Sequence, residues 1–166
     1  MQSYDLFVHP PPNTPPFRIF TAIMDEQYIF LSWDDSKTLH PASLPGDFIV
    51  EFSQTLFLEG GWRCGLVDVK YTTSFESAAD VGSLYICCDI CEEAPIRGTR
   101  LPVLRRVQLT GAEPAVVAER YDNIYYTKTT RQLVDKIRIF VLDKSLNTVT
   151  FVNGQLDCTL HIKRER

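Results

Sequence analysis

From residue 17 onward, apolar runs of about six residues alternate with polar connections carrying glycine, proline or aspartate, the texture of a chain built from strands. The alternation is clearest near the C-terminal end. There Leu156, Cys158, Leu160 and Ile162 fall on one side of an extended chain, and Asp157, Thr159, His161 and Lys163 on the other. A period of two is the signature of a half-buried strand. The run at 136–143 (KIRIFVLD) precedes it across a polar connection at 144–147, so the pair predicts a closing hairpin. Asn153 and Gly154 tolerate positive φ, which leaves 152–155 as a bulge within one long strand or as a tight turn of a further hairpin.

Further strands are predicted at 17–24 (FRIFTAIM), 28–33 (YIFLSW), 47–58 (DFIVEFSQTLFL), 61–71 (GWRCGLVDVKY), 83–90 (SLYICCDI), 103–109 (VLRRVQL) and within 119–130. Phe48, Val50 and Phe52 share one face, with Ile49, Glu51 and Ser53 on the other, as in an antiparallel sheet with one wet side. Gly60 and Gly61 predict that 47–58 and 61–71 form a hairpin. The run at 83–90 is apolar at nearly every position and reads as a buried strand. Residues 34–46 and 92–102 read as loops, and 110–119 is the one place for a helical turn, kept short by Gly111 and Pro114.

Eight or nine strands with no internal repeat define an all-β chain. Its long connections suit Greek-key crossovers between two antiparallel sheets better than an up-and-down barrel, so the expected architecture is an eight-stranded single jelly-roll sandwich. It spans 17–166 as one domain. Residues 1–16 include His9-Pro10-Pro11-Pro12-Asn13-Thr14-Pro15-Pro16, where fixed φ and missing donors favour an extended Pro-rich N-terminal arm. The arm is either a disordered leader or a segment that docks on a neighbouring subunit.

Composition narrows the functional classes. With 45% hydrophobic residues, 23% charged and a net charge of -4, the chain lacks the basic footprint of a direct nucleic-acid binder. No apolar run reaches the roughly 20 residues of a membrane span, and no signal peptide is evident, so a soluble intracellular product is expected. Five cysteines, an odd number, lie inside strand-like runs and read as free thiols.

Candidate chemistry is sparse. Cys88 and Cys91 make a C-x-x-C, but strand alternation would point Cys87, Asp89 and Cys91 one way and Cys88 the other, scattering potential metal ligands. His9, His40 and His161 form no H-x-H, which opposes a cupin-type enzyme. Asp34 and Asp35 before Ser36 read as turn chemistry and not as a calcium site. Arg97-Gly98-Thr99 lacks the aspartate of an integrin-binding tripeptide. No phosphate loop, G-x-S-x-G or H-E-x-x-H occurs. The reading is therefore a non-enzyme, with no catalytic residue, no cofactor and no metal.

The order LSWDDSKTLHPASLPGDFIVEF, LEGGWRCGLVDVKY, SLYICCDI, LPVLRRV and KIRIFVLDKSLNTVTFVNGQLDCTLHIKR resembles the single jelly-roll penton (minor capsid) proteins of Polinton/Maverick elements and adintovirus-like DNA viruses, and more distantly adenovirus penton base. The resemblance covers residues 28–164. It implies a structural viral capsid protein forming homopentamers at the fivefold vertices of an icosahedral shell. Its partners would be copies of itself and a neighbouring major capsid protein, in a virion assembled in the host-cell interior. The large insertions that serve fibre and receptor binding in adenovirus have no room here. Under that implication Pro10, Pro11, Pro12, Pro15 and Pro16 of the arm, with Trp33, Trp62, Tyr121, Tyr125 and Tyr126, are candidate subunit contacts, each equally explained as packing. The alternative is a non-catalytic jelly-roll binding module for carbohydrate or a receptor; such modules are usually secreted.

Overall fold

The computed structural model describes residues 25–72, 74–75, 82–109, 116–152 and 154–166. The Pro-rich arm, with Pro10, Pro11, Pro12, Pro15 and Pro16, and the expected strand at 17–24 lie outside the described residues. So does most of the predicted helical turn, whose last four residues are strand. The elements in order are β1 (Glu26–Ser32), α1 (Trp33–Leu39), β2 (Asp47–Phe57), β3 (Trp62–Thr72), β4 (Ser83–Cys88), β5 (Ala94–Ile96), β6 (Thr99–Leu101), β7 (Val103–Gln108), β8 (Val116–Arg120), β9 (Tyr126–Lys128), β10 (Leu133–Leu142) and β11 (Leu156–Arg164).

Two antiparallel sheets face one another. One runs β1-β11-β3-β8 with β9 also on β3, and the other runs β2-β10-β4-β7. Consecutive long strands thus alternate between sheets except β4 and β7, which pair within one, the strand order of a jelly roll with β1 as its strand B and β11 as its strand I. The core lies between the sheets. Leu156, Cys158, Leu160 and Ile162 supply it from β11, and Ile137, Ile139 and Val141 from β10, each fully buried.

Two expected hairpins are corrected by this topology. β2 and β3 are not partners: β2 pairs with β10, and β3 with β11, β8 and β9. Gly60 does take positive φ (89°), so the chain reverses where the glycines predict. Leu58 and Trp62, flanking the reversal, are both buried, and the Leu58 amide donates to Gln132 O at 2.7 Å. The turn therefore carries the chain across the end of the core instead of back beside itself. β10 and β11 likewise lie in opposite sheets. Asp143 accepts the amides of Ser145 and Asn147, Leu146 takes φ 68°, and Val149 and Phe151 are buried on the way across. Val152, Gly154 and Gln155 are thus part of a crossing and belong to no strand, and Asn153 lies outside the described residues.

Two predicted loops hold regular structure. Trp33–Leu39 is a helix because Ser32 caps it, accepting the Asp34 amide, with Asp34 and Asp35 in the first turn and Lys37 in the last; this charge order suits the helix dipole. Within 92–102, β5 and β6 pair around Arg97 (φ 49°) and Gly98 (φ 84°), a two-residue turn that accounts for the Arg-Gly-Thr tripeptide. Ile96 and Leu101 pack on Tyr85, Cys87 and Leu142. This cover explains why every residue of β4 is buried.

Leu160 has no exposed surface. Leu160→Ala should lower unfolding stability by about 2–5 kcal/mol in denaturant titration. Leu160→Asp would bury an unpaired carboxylate and should yield no cooperatively folded chain; an unchanged denaturation midpoint would mean the faces of β11 are reversed.

Candidate functional site

The outer face of the β1-β11-β3 sheet carries a transverse row of side chains. Register places Tyr28 opposite His161, His161 opposite Gly65, and Gly65 opposite Tyr126. His161 is only 5% exposed although it lies on the sheet's outer side. Tyr28 stacks on its ring at 4.3 Å and 6°, the Tyr126 hydroxyl is 2.8 Å from Nδ1, and Glu26 Oε2 is 3.2 Å from Nε2. The missing side chain at position 65 makes the row possible. A Cβ there would stand 2.4 Å from Ile124 Cγ2 and 2.8 Å from the Tyr125 carbonyl oxygen. Alternation puts His161 on the polar side of β11, and the structure covers it there. The available signal was a glycine in the middle of a strand, which often marks close approach by another segment.

Beside the row lies an open cleft of about 590 Å³. Glu26, Arg63, Tyr126, Lys163 and Glu165 are among its walls. Arg63 hydrogen bonds to Glu165 and holds its carboxyl below the usual range. The cleft's described walls contain no serine, cysteine or histidine.

The aromatics singled out in the sequence occupy separate places. Trp33 begins α1, donates its indole N–H to Ser43 O at 3.0 Å, and lies under the Lys37 ammonium. Trp62 is buried in the core and donates to Glu59 O, so it offers no contact surface. Tyr121 is half-buried and donates to Glu119 Oε2 at 2.7 Å. Arg105 lies over the rings of both Tyr121 and Tyr125, while Tyr126 belongs to the His161 row. The structure therefore joins Tyr121 with Tyr125 and places Trp33 elsewhere.

Among the described residues, β1 and β2 are the edge strands of one flank, with α1 between them, and β7, β8 and β9 edge the other. The first flank exposes Tyr28 (65%) and Phe30 (60%), which sequence reading did not select. The second exposes Val116 (64%) and Tyr125 (67%). Unpaired edges carrying apolar side chains are ready surfaces for another chain.

The remaining candidates resolve differently. His9 lies outside the described residues, His40 follows α1, and neither joins His161. Asp34 pairs with Lys37 at 2.6 Å, and the two adjacent carboxylates lie in the first turn of α1, where they suit the helix dipole. The cysteine reading needs correction. β4 ends at Cys88, and the chain turns at once, the Cys91 amide donating to Cys88 O at 3.1 Å. Cys91 therefore returns to the core side, and its sulphur, with those of Cys64 and Cys88, forms a group within 4.8 Å. Cys87 points to the opposite side, under the β5–β6 hairpin.

These features define a single jelly roll with two open flanks. Neither a family model nor a curated protein matches the sequence. Among solved structures, the fold is similar to the crystal structure of the mavirus penton protein, with a TM-score of 0.60 at 6% identity, covering 84% of this chain and all of that one.

Gly65→Val should lower unfolding stability by about 1–3 kcal/mol through overpacking and break the Tyr126–His161 hydrogen bond, seen as a shift of the His161 ring resonances. An unchanged midpoint and ring spectrum would refute the packing. Alkaline pH tests a second contact set. Burial first, then the charge of Glu119, raises the Tyr71 phenol to about 12, and burial followed by the Glu119 hydrogen bond raises Tyr121 further. Both stay protonated in the fold after the unfolded chain ionises near pH 10. Their stabilisation is therefore complete below about pH 10 and falls as pH rises through about 12. Tyr121→Phe should flatten part of that fall in pH-dependent denaturation.

Proposed function

We propose that the chain is a structural capsid subunit of the penton type, assembling as a homopentamer at the fivefold vertices of an icosahedral shell and bordered there by a major capsid protein. The observation that carries this reading is the match of fold over the entire mavirus penton protein chain. The flanks support it. A closed ring of identical subunits needs two different surfaces on each copy, one meeting the other on its neighbour. Here Tyr28 and Phe30 mark one flank, and Val116 and Tyr125 mark the other. The Pro-rich arm, with Pro10, Pro11, Pro12, Pro15 and Pro16, would reach across a neighbouring copy. On this reading the molecule acts in the virion and performs no catalysis; its work is mechanical closure.

Native mass spectrometry and negative-stain imaging test the proposal. Subunits of 19.0 kDa should give a ring of about 95 kDa. Phe30→Glu, on an exposed position, should leave folding stability within about 0.5 kcal/mol while shifting the population to monomer. A wild-type chain that remains monomeric or trimeric at high concentration would overturn the pentamer, and a Phe30→Glu ring as stable as the wild type would remove that flank from the contact.

A further inference from the structure

The three converging thiols are set between the two sheets. Cys64 comes from β3 in one sheet, Cys88 from the end of β4 in the other, and Cys91 from the turn that follows. All three are buried within the main core, at 0%, 0% and 2% exposure. Their sulphurs lie within 4.8 Å of one another. Thiolates sharing one metal at about 2.3 Å stand a little under 4 Å apart, so only a small contraction separates the observed group from a coordinated one.

The turn around Cys88 and Cys91 is held from several sides. The Ile90 amide donates to the Cys88 sulphur, and the Cys91 amide donates to the Cys88 carbonyl. Thr130 N–H donates to Ile90 O and Glu92 N–H to Lys128 O, each at 2.8 Å. Asp89 accepts the Arg138 amide at 2.9 Å and pairs with Arg131 at 2.9 Å. A backbone amide aimed at the first sulphur of a C-x-x-C turn is the second-shell support that orients and stabilises a metal-bound thiolate.

We propose that Cys64, Cys88 and Cys91 form a binding site for a thiophilic d¹⁰ metal ion that braces the two sheets across the core. Soft thiolate ligands select copper(I) or zinc(II) among biological metals. Three sulphurs complete a trigonal copper(I) site, whereas structural zinc takes four ligands. Among the described residues the next thiol, Cys158, stands outside the group. The coordination number therefore assigns copper(I). Binding releases three protons, one from each cysteine, because the thiolate and not the thiol is the ligand. Since the thiols are closed to solvent, the ion would enter as the chain folds.

The proposal is independent of the capsid reading and is tested on the full chain. The protein is refolded anaerobically with copper(I) or zinc(II) in a reducing buffer, passed through gel filtration, and assayed for metal by mass spectrometry. About one copper per chain is expected to remain, with three sulphur neighbours by X-ray absorption and a raised denaturation midpoint. Cys87→Ala should keep the ion, whereas Cys88→Ala/Cys91→Ala should lose it and its stabilising effect. The absorption measurement needs only the wild-type chain, so it decides the question even if the double variant does not fold. Folded wild-type protein retaining less than about a tenth of an ion per chain overturns the proposal, as does equal retention by a folded double variant. Zinc retained in preference to copper, with a fourth sulphur neighbour, overturns the three-coordinate assignment.

Discussion

Everything in this fold depends on β11 entering the gap between β1 and β3. Its partners lie far away in sequence: Glu26 pairs with Lys163, and Trp62 with Arg164. β1 and β3 do not pair with each other, and it is the last strand that joins them. Loop closure over such separations is costly, and non-local pairing of this kind makes folding slow. What offsets it is the inner face of β11, where Leu156, Cys158, Leu160 and Ile162 are all fully buried. The same strand also ties down a polar corner, since Asp157 accepts from Ser32 Oγ at 2.6 Å and from Gln155 at 2.9 Å.

Because the sheets meet without closing into a barrel, the molecule has two flanks of different chemistry. One is aromatic and adjoins α1; the other combines aliphatic and aromatic groups with Arg105 stacked on Tyr121 and Tyr125. An isologous pair would need a self-complementary patch, whereas unlike flanks lend themselves to head-to-tail closure. The β5–β6 hairpin meanwhile covers part of the outer face at β4, which removes that area from the surfaces a neighbour can use.

The strand runs and the faces of β11 were legible because alternation is a local property, written residue by residue. Pairing is not local. Gly60 and Gly61 announced a reversal correctly, but a reversal between sheets and a hairpin use the same residues, and what separates them is the burial of Leu58 and Trp62. The helix at 33–39 was readable from Ser32, Asp34 and Lys37, yet seven residues gave too little apolar periodicity to outweigh a loop. The thiol group was hidden by extrapolating strand alternation past Cys88, where the strand ends. The His161 row joins four strands, with Gly65 in its midst contributing no side chain, so no single stretch of sequence displays it.

The antiparallel pairing of β1 with β11 has a mechanical side. β1 begins where β11 ends, with Glu26 opposite Lys163, so segments leading into one and out of the other depart from the same corner. Tension drawn between those two segments would load the hydrogen bonds of the ladder one after another, as in opening a zipper, because the bonds lie perpendicular to the strands. Force transmitted laterally through the flanks instead meets many bonds at once. The β1–β11 ladder is thus easier to peel from its Glu26–Lys163 end than to shear as a whole.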